Sequence, residues 1–199
     1  MRGFAQKALA LAVFAACAGC FDEPSDAARA VPEGAHVYLQ DRGLGDLAGE
    51  NLDAAKIVYL NLDRNALTNV APVAALTNLK WLRLNSNRLA ALPDLAALTQ
   101  LRRIYLARNR FAAVPETLKD LPALTDIELS DNPLTAIPDW LARKEGLLFL
   151  SFNRTNVRKL PSDLSAWRSL KALQLGGLEL PADEMARIRA ALPKTAIVF

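Results

Sequence analysis

The chain has 199 residues, enough for one domain with a real core or for a short array of repeats. Its 52% apolar share, dominated by Leu and Ala, excludes a wholly disordered chain. The formal net charge is +3, and setting aside Arg2 and Lys7 leaves 22 basic against 21 acidic residues. No global attraction to nucleic acid is therefore indicated, and none is expected as a partner.

Arg2 and Lys7 make a basic start to the apolar run 8–16, which has signal-peptide length and falls short of the roughly 20 residues that a membrane helix needs. No later stretch is free of charge for that length. Both cysteines lie in this region, so nothing downstream can form an intrachain disulfide. The run Cys17-Ala18-Gly19-Cys20 resembles the lipobox of bacterial lipoproteins, in which small residues precede an invariant Cys. The resemblance implies a signal peptide over 1–19 and lipid attachment at Cys20, hence an exported protein anchored to a membrane of the cell envelope. Cys17 stands where that family usually has Leu, which leaves open attachment at Cys17, or plain cleavage after Ala16-Cys17-Ala18. Phe21, in place of Asp, points by the same resemblance to the outer membrane where the cell has one. Residues 20–34 hold two prolines, several acids and no apolar periodicity, and read as a flexible tether. Fully stretched, about 14 residues reach roughly 46–50 Å.

Beyond the tether, internal repetition decides the fold. Ile57, Leu60, Leu62, Asn65 and Leu67 recur as Leu79, Leu82, Leu84, Asn87 and Leu89. They recur again as Leu101, Ile104, Leu106, Asn109 and Phe111, and as Leu124, Ile127, Leu129, Asn132 and Leu134. Two further units start at Leu147 and Leu170. This pattern, L-x-x-L-x-L-x-x-N-x-L at intervals of 22 or 23 residues, resembles the leucine-rich-repeat family from about Ala35 to Phe199. The resemblance implies an α/β solenoid, a curved horseshoe with a parallel sheet on its concave face and short helical or 3-10 turns on its convex face.

The positions explain themselves physically. Alternating leucines mark short strands with one buried side, stacked so that the leucines form a continuous core. The amides of Asn65, Asn87, Asn109 and Asn132 offer both donor and acceptor to backbone groups of adjacent turns, and the family uses such a column as an asparagine ladder. Thr155 replaces Asn in the fifth unit, so the ladder is expected to weaken there. Gly176-Gly177 replaces the turn of the sixth. Leu92-Pro93, Val114-Pro115, Ile137-Pro138 and Leu160-Pro161 occupy equivalent places, where proline suits the first turn of a short helix. Residues 35–56 read as a degenerate N-terminal capping repeat, 57–181 as the repeats, and 182–199 as a C-terminal cap of one helix and one strand.

Strand residues between the leucines are expected to face the concave side. There Tyr38, Tyr59, Trp81, Tyr105 and Phe149 supply aromatics, Arg83 and Arg103 supply cations, and Asp126 and Glu128 supply carboxylates. Tyr, Trp and Arg carry much of the energy of protein interfaces, so these nine residues are the candidate partner-binding set. The arginines gather in the second and third units and the acids in the fourth. Such a bipolar face would orient a partner, or opposite charges one strand apart, Arg103 and Asp126 for example, would pair and stabilise the sheet.

Catalysis is not expected. The Asp126/Glu128 pair reads as solvated charge, the sole histidine is His36, and no phosphate-loop, zinc or nucleophile motif occurs. No cofactor or metal is expected. The anticipated function is a binding module that grips a protein partner. A binder of glycan through the aromatic stripe, or a scaffold, stands as the alternative.

Overall fold

A computed structural model describes residues 33–199; the expected signal peptide, the expected tether up to residue 32, Cys17 and Cys20 lie outside the described residues. Eight strands form one parallel sheet in strict sequence order. They are β1 (Ala35–Tyr38), β2 (Ile57–Asn61), β3 (Trp81–Arg83), β4 (Arg103–Tyr105), β5 (Asp126–Glu128), β6 (Phe149–Ser151), β7 (Ala172–Gln174) and β8 (Ala196–Val198). Register follows the repeat without slip from β2 to β7: Leu60, Leu82, Ile104, Ile127, Leu150 and Leu173 stand side by side. Each of these six is fully buried, which is why the order admits no crossover. A unit has only one apolar face, and only the next unit can cover its flank.

Behind the sheet, a single core runs from Leu39 to Leu192. Phe111 and Phe152 fill leucine positions, and Trp167 adds a fully buried indole whose Nε1 donates to the Leu141 carbonyl at 2.8 Å. The return segments carry 3-10 turns at Ala71–Ala75, Glu116–Leu118 and Ser165–Ser169, and one turn of helix, α1 (Asp139–Ala142). The prolines act differently from expectation. Pro115 and Pro138 are N-caps, one residue outside the helical turn, at φ −59° and −72°. Pro161 lies four residues ahead of its turn, and residues 93–100 form no helix at all. Proline's fixed φ is equally compatible with the extended cap conformation, so the ring sets the entry to the return path more than it starts a helix.

At the C-terminal end, α2 (Ala182–Ala191) begins after Pro181, with Asp183 and Glu184 in its first turn and Arg189 in its last, as the helix dipole favours. Glu184 fastens it. One carboxylate oxygen accepts the Leu160 N–H at 2.9 Å and the Arg187 guanidinium binds the same carboxylate at 2.8 Å. Strand β8 then pairs in parallel with β7. Among the described residues no helix is long and apolar enough to cross a membrane, and no group of side chains is placed to hold a metal ion.

Candidate partner-binding face

Strands β2 to β5 end where a leucine is followed by two residues and an asparagine, and the chain must turn there without wasting backbone groups. Asn109 shows how. Its Nδ2 donates to the carbonyl of Leu106 in its own unit at 3.0 Å and to Leu84 in the previous unit at 2.9 Å. Its Oδ1 accepts the Leu89 N–H at 3.0 Å. Asn65, Asn87 and Asn132 repeat the arrangement. Consequently the Leu62, Leu84 and Leu106 carbonyls each receive two amide protons, one from their own unit and one from the next. Thr155 donates its single hydroxyl proton to the Phe152 carbonyl at 2.8 Å. It keeps the bond within its unit and has none left for the Leu129 carbonyl behind it.

Two further columns escaped the sequence reading. One residue before each ladder position the backbone is left-handed: Asp41, Arg64, Ser86, Arg108, Asp131 and Arg154 have φ between +52° and +59°, and Gly177 has +75°. The signal was an invariant place in the turn, hidden because glycine fills it only once. The second column follows the second leucine of each strand. Asp63 Oδ1 accepts the Asn85 N–H at 2.7 Å, Asn85 Oδ1 accepts the Ala107 N–H at 2.9 Å, and Asn153 Oδ1 accepts the Gly176 N–H at 2.7 Å. Short acceptor side chains at 22- or 23-residue spacing were the available clue.

On the open face of the sheet, parallel register converts the sequence order into rows. His36, Tyr59, Trp81, Arg103, Asp126, Phe149 and Ala172 form one row, and Tyr38, Asn61, Arg83, Tyr105, Glu128, Ser151 and Gln174 the other. Rings touch in succession: Tyr59 lies 5.5 Å from His36, 5.4 Å from Tyr38 and 5.9 Å from Trp81. The two arginines extend the contact, Arg103 over Trp81 at 4.3 Å and Arg83 over Tyr105 at 5.0 Å. A strip of two adjoining contact groups thus crosses β1 to β4, one from His36 and Tyr38 to Arg103 and the other made of Arg83 and Tyr105. The rings are mutually tilted by 44–61°, so they make a stepped surface and not a flat one.

The candidate residues divide by exposure. Tyr38 is 53% exposed, and Trp81, Arg83, Arg103, Tyr105, Glu128 and Phe149 are partly exposed. Tyr59 and Asp126, at 9% and 6%, are buried by their neighbours. Farther along the face Ser130, Ser151, Asn153 and Ala172 are buried as well, so part of the half from β5 to β7 covers itself. Ser130 and Ser151 hydroxyls bond at 2.6 Å, and Glu128 Oε1 accepts the Ser130 N–H at 2.8 Å.

Two charge pairs form across strands of the face. Arg83 Nε reaches Asp63 at 2.8 Å and Arg103 approaches Asp126 at 3.8 Å. Burial, the largest influence on Arg83, opposes its charge, yet the Asp63 carboxylate outweighs it and holds the pKa above the ordinary value. Glu128 is the opposite case: burial pushes its carboxyl up, and the Ser130 and Ser151 hydrogen bonds pull it back only in part. At the turn edge Arg154 grips Asp131 with two bonds of 2.6 Å and holds that carboxyl below its ordinary value.

A one-sided parallel sheet wound in sequence order, with side-chain columns capping every turn, defines a repeat solenoid. Residues 55–111 match the family described as Leucine rich repeat. Over those residues the chain matches that family, and the same parallel register continues through the described array to β8. An internalin from Listeria monocytogenes has a similar fold, with a TM-score of 0.55 and 22% identity, over 72% of this chain and 50% of the internalin. The match therefore spans only half the length of that solved chain. No curated protein matches the sequence.

Proposed function

We propose that this chain is a non-catalytic binding module of the bacterial cell envelope, held by lipid at Cys20, which grips a protein partner through the open face between β1 and β4. The observation that carries the reading is a strip in which Tyr38, Tyr59, Trp81 and Arg103 touch in succession and Arg83 over Tyr105 lies beside them. Its rings and guanidiniums are fixed by one another before any partner arrives, so little side-chain entropy remains to be lost on binding. Tyr59 and Asp126 serve from beneath, as supports for Trp81 and Arg103. Phe149 and Glu128 form the far margin. A protein surface fits a stepped, mixed aromatic and cationic strip; a glycan stacks best on a flat line of rings, which the tilts oppose.

Cross-linked pull-downs from the native envelope test this. The Trp81→Ala/Tyr105→Ala chain is expected to lose a protein that the parent retains. Trp140→Ala, on the return side where the indole bonds Glu116 at 2.8 Å, is expected to keep it. Equal recovery by both variants would overturn the reading, and loss of a polysaccharide in place of a protein would favour the glycan alternative. Anchoring is tested separately: palmitate labelling is expected to vanish in Cys20→Ser, and label surviving through Cys17 would refute the assigned attachment.

A further inference from the structure

At the edge where strands turn into the return path, exposed arginines are paired almost everywhere. Arg64 binds Asp41, Arg154 binds Asp131, Arg42 faces Glu50 at 3.8 Å and Arg158 faces Glu179 at 3.7 Å. The second and third units break this rule. Their turns, NSNRLAAL (85–92) and ARNRFAAV (107–114), contain no carboxylate. Arg88 and Arg110 are exposed and have no ion pair among the described residues. Arg108, between them in sequence, reaches only Asp131 at 3.6 Å, and that carboxylate is already held twice by Arg154.

The backbone that carries these cations is fixed in position. The Arg88 N–H bonds the Leu67 carbonyl at 2.9 Å and the Arg110 N–H bonds the Leu89 carbonyl at 2.8 Å, equivalent rungs of adjacent turns whose backbones lie about 5 Å apart. Arg108 sits in the left-handed column. Like charges so placed repel one another unless an anion lies between them. Beside them Ala90, Ala91, Ala112 and Ala113 are all exposed, so no bulky side chain keeps a flat anionic surface away from the guanidiniums.

We propose that this edge, through Arg88, Arg108 and Arg110, docks the solenoid on the phosphate headgroups of an anionic phospholipid bilayer. Guanidinium forks match phosphate oxygens in two-point hydrogen bonds. The surface is separate from the gripping face, so its fate does not decide that reading. Only the choice of a membrane as the anion draws on the proposed lipid anchor, which gives the edge a high effective concentration of headgroups. Docked this way, the row of strand ends lies along the membrane and the strip from β1 to β4 opens sideways.

The test uses the full chain carrying Cys20→Ser, so that no acyl group contributes. Sedimentation with phosphatidylcholine vesicles containing about 30% phosphatidylglycerol is compared with sedimentation on phosphatidylcholine alone, in low and high salt. The N-terminal apolar run is common to every variant and cancels in the ratio. Each basic side chain near an anionic surface is worth about fivefold, so Arg88→Gln/Arg110→Gln is expected to lose roughly 25-fold of the anionic preference. Arg42→Gln/Arg158→Gln, with the same change in charge, is expected to stay within about twofold. Equal loss in both double variants would reduce the effect to net charge and overturn the proposal, as would unchanged binding in the first. Saturable binding of inorganic phosphate that the first variant abolishes, with no vesicle preference, would also overturn it. Far-UV circular dichroism matching the parent establishes that either variant is folded.

Discussion

Removing one rung of the asparagine ladder is the sharpest probe of how this solenoid holds together. In Asn109→Ala one acceptor and two amide protons disappear, and the bonds they make are not equivalent. The Leu84 carbonyl keeps its bond from Asn87 and the Leu106 carbonyl keeps its bond from Asn132. The Leu89 N–H, buried, loses its acceptor Asn109 Oδ1. An orphaned buried donor costs about 1–3 kcal/mol and a bond lost from a still-bonded carbonyl about 0.5–1.5 kcal/mol. The sum is about 2–6 kcal/mol, a large part of the ~5–15 kcal/mol that holds an ordinary domain together. Asn109→Thr copies what the fifth unit already contains and retains one donor, so it should cost about half as much. Urea unfolding followed by circular dichroism measures both, and hydrogen exchange should show the Leu89 amide losing most protection. If Asn109→Ala costs no more than the exposed Asn156→Ala, or if Thr is no better than Ala, the ladder is not what secures the turns.

The converse change, Thr155→Asn, should stabilise by on the order of 1 kcal/mol by supplying a second proton to the Leu129 carbonyl; a lower urea midpoint would refute this. The raised Glu128 carboxyl binds its proton more tightly folded than unfolded, so its stabilising contribution is present in acid and lost as pH rises above 4.5 through the folded value. Glu128→Gln keeps the acceptor for Ser130 and should raise thermal stability near neutrality by about 1 kcal/mol, or ~2–4 °C. The gain should vanish at low pH, and a pH-independent gain would contradict it. Glu184 runs the other way: the Arg187 hydrogen bonds hold it below 4.5, so the grip on α2 is complete above that value and loosens as pH falls beneath it. Glu184→Ala should cost about 2–3 kcal/mol through the orphaned Leu160 N–H, read by proteolysis near residues 181–199. Gly177→Ala would force a side chain into φ +75° with its Cβ 3.1 Å from Arg154 Cγ. A loss of roughly 1–2 kcal/mol is expected there, measured by thermal melting.

Much of the fold was legible because one periodicity serves two structures. Leu60 and Leu62 alternate as a strand requires, and their recurrence at 22 or 23 residues sets the register of Leu82 and Ile104 beside them. The return path was less legible. A proline at 93, 115, 138 or 161 is sterically acceptable in a helix's first turn, in its cap or in plain extended chain, and only local packing selects among these. The face was legible as a set of positions and not as a surface. Sequence places Asp126 and Trp81 in one row, but the larger side chains around Asp126 bury it. The second acceptor column was hidden because Asp63, Asn85 and Asn153 look like solvent-facing polar residues. Their bonds go to backbone of the following turn, a partner 22 or 23 residues away that no local pattern displays.

The single proton of Thr155 has a mechanical consequence. Upstream, each asparagine stitches two neighbouring coils, so tension applied along the stack is shared by many threads; between the fourth and fifth coils one stitch is missing. Pulled from its ends, the stack should part at or beyond that seam and not before it, leaving a front block that still carries the aromatic strip and a rear block bounded by the final helix.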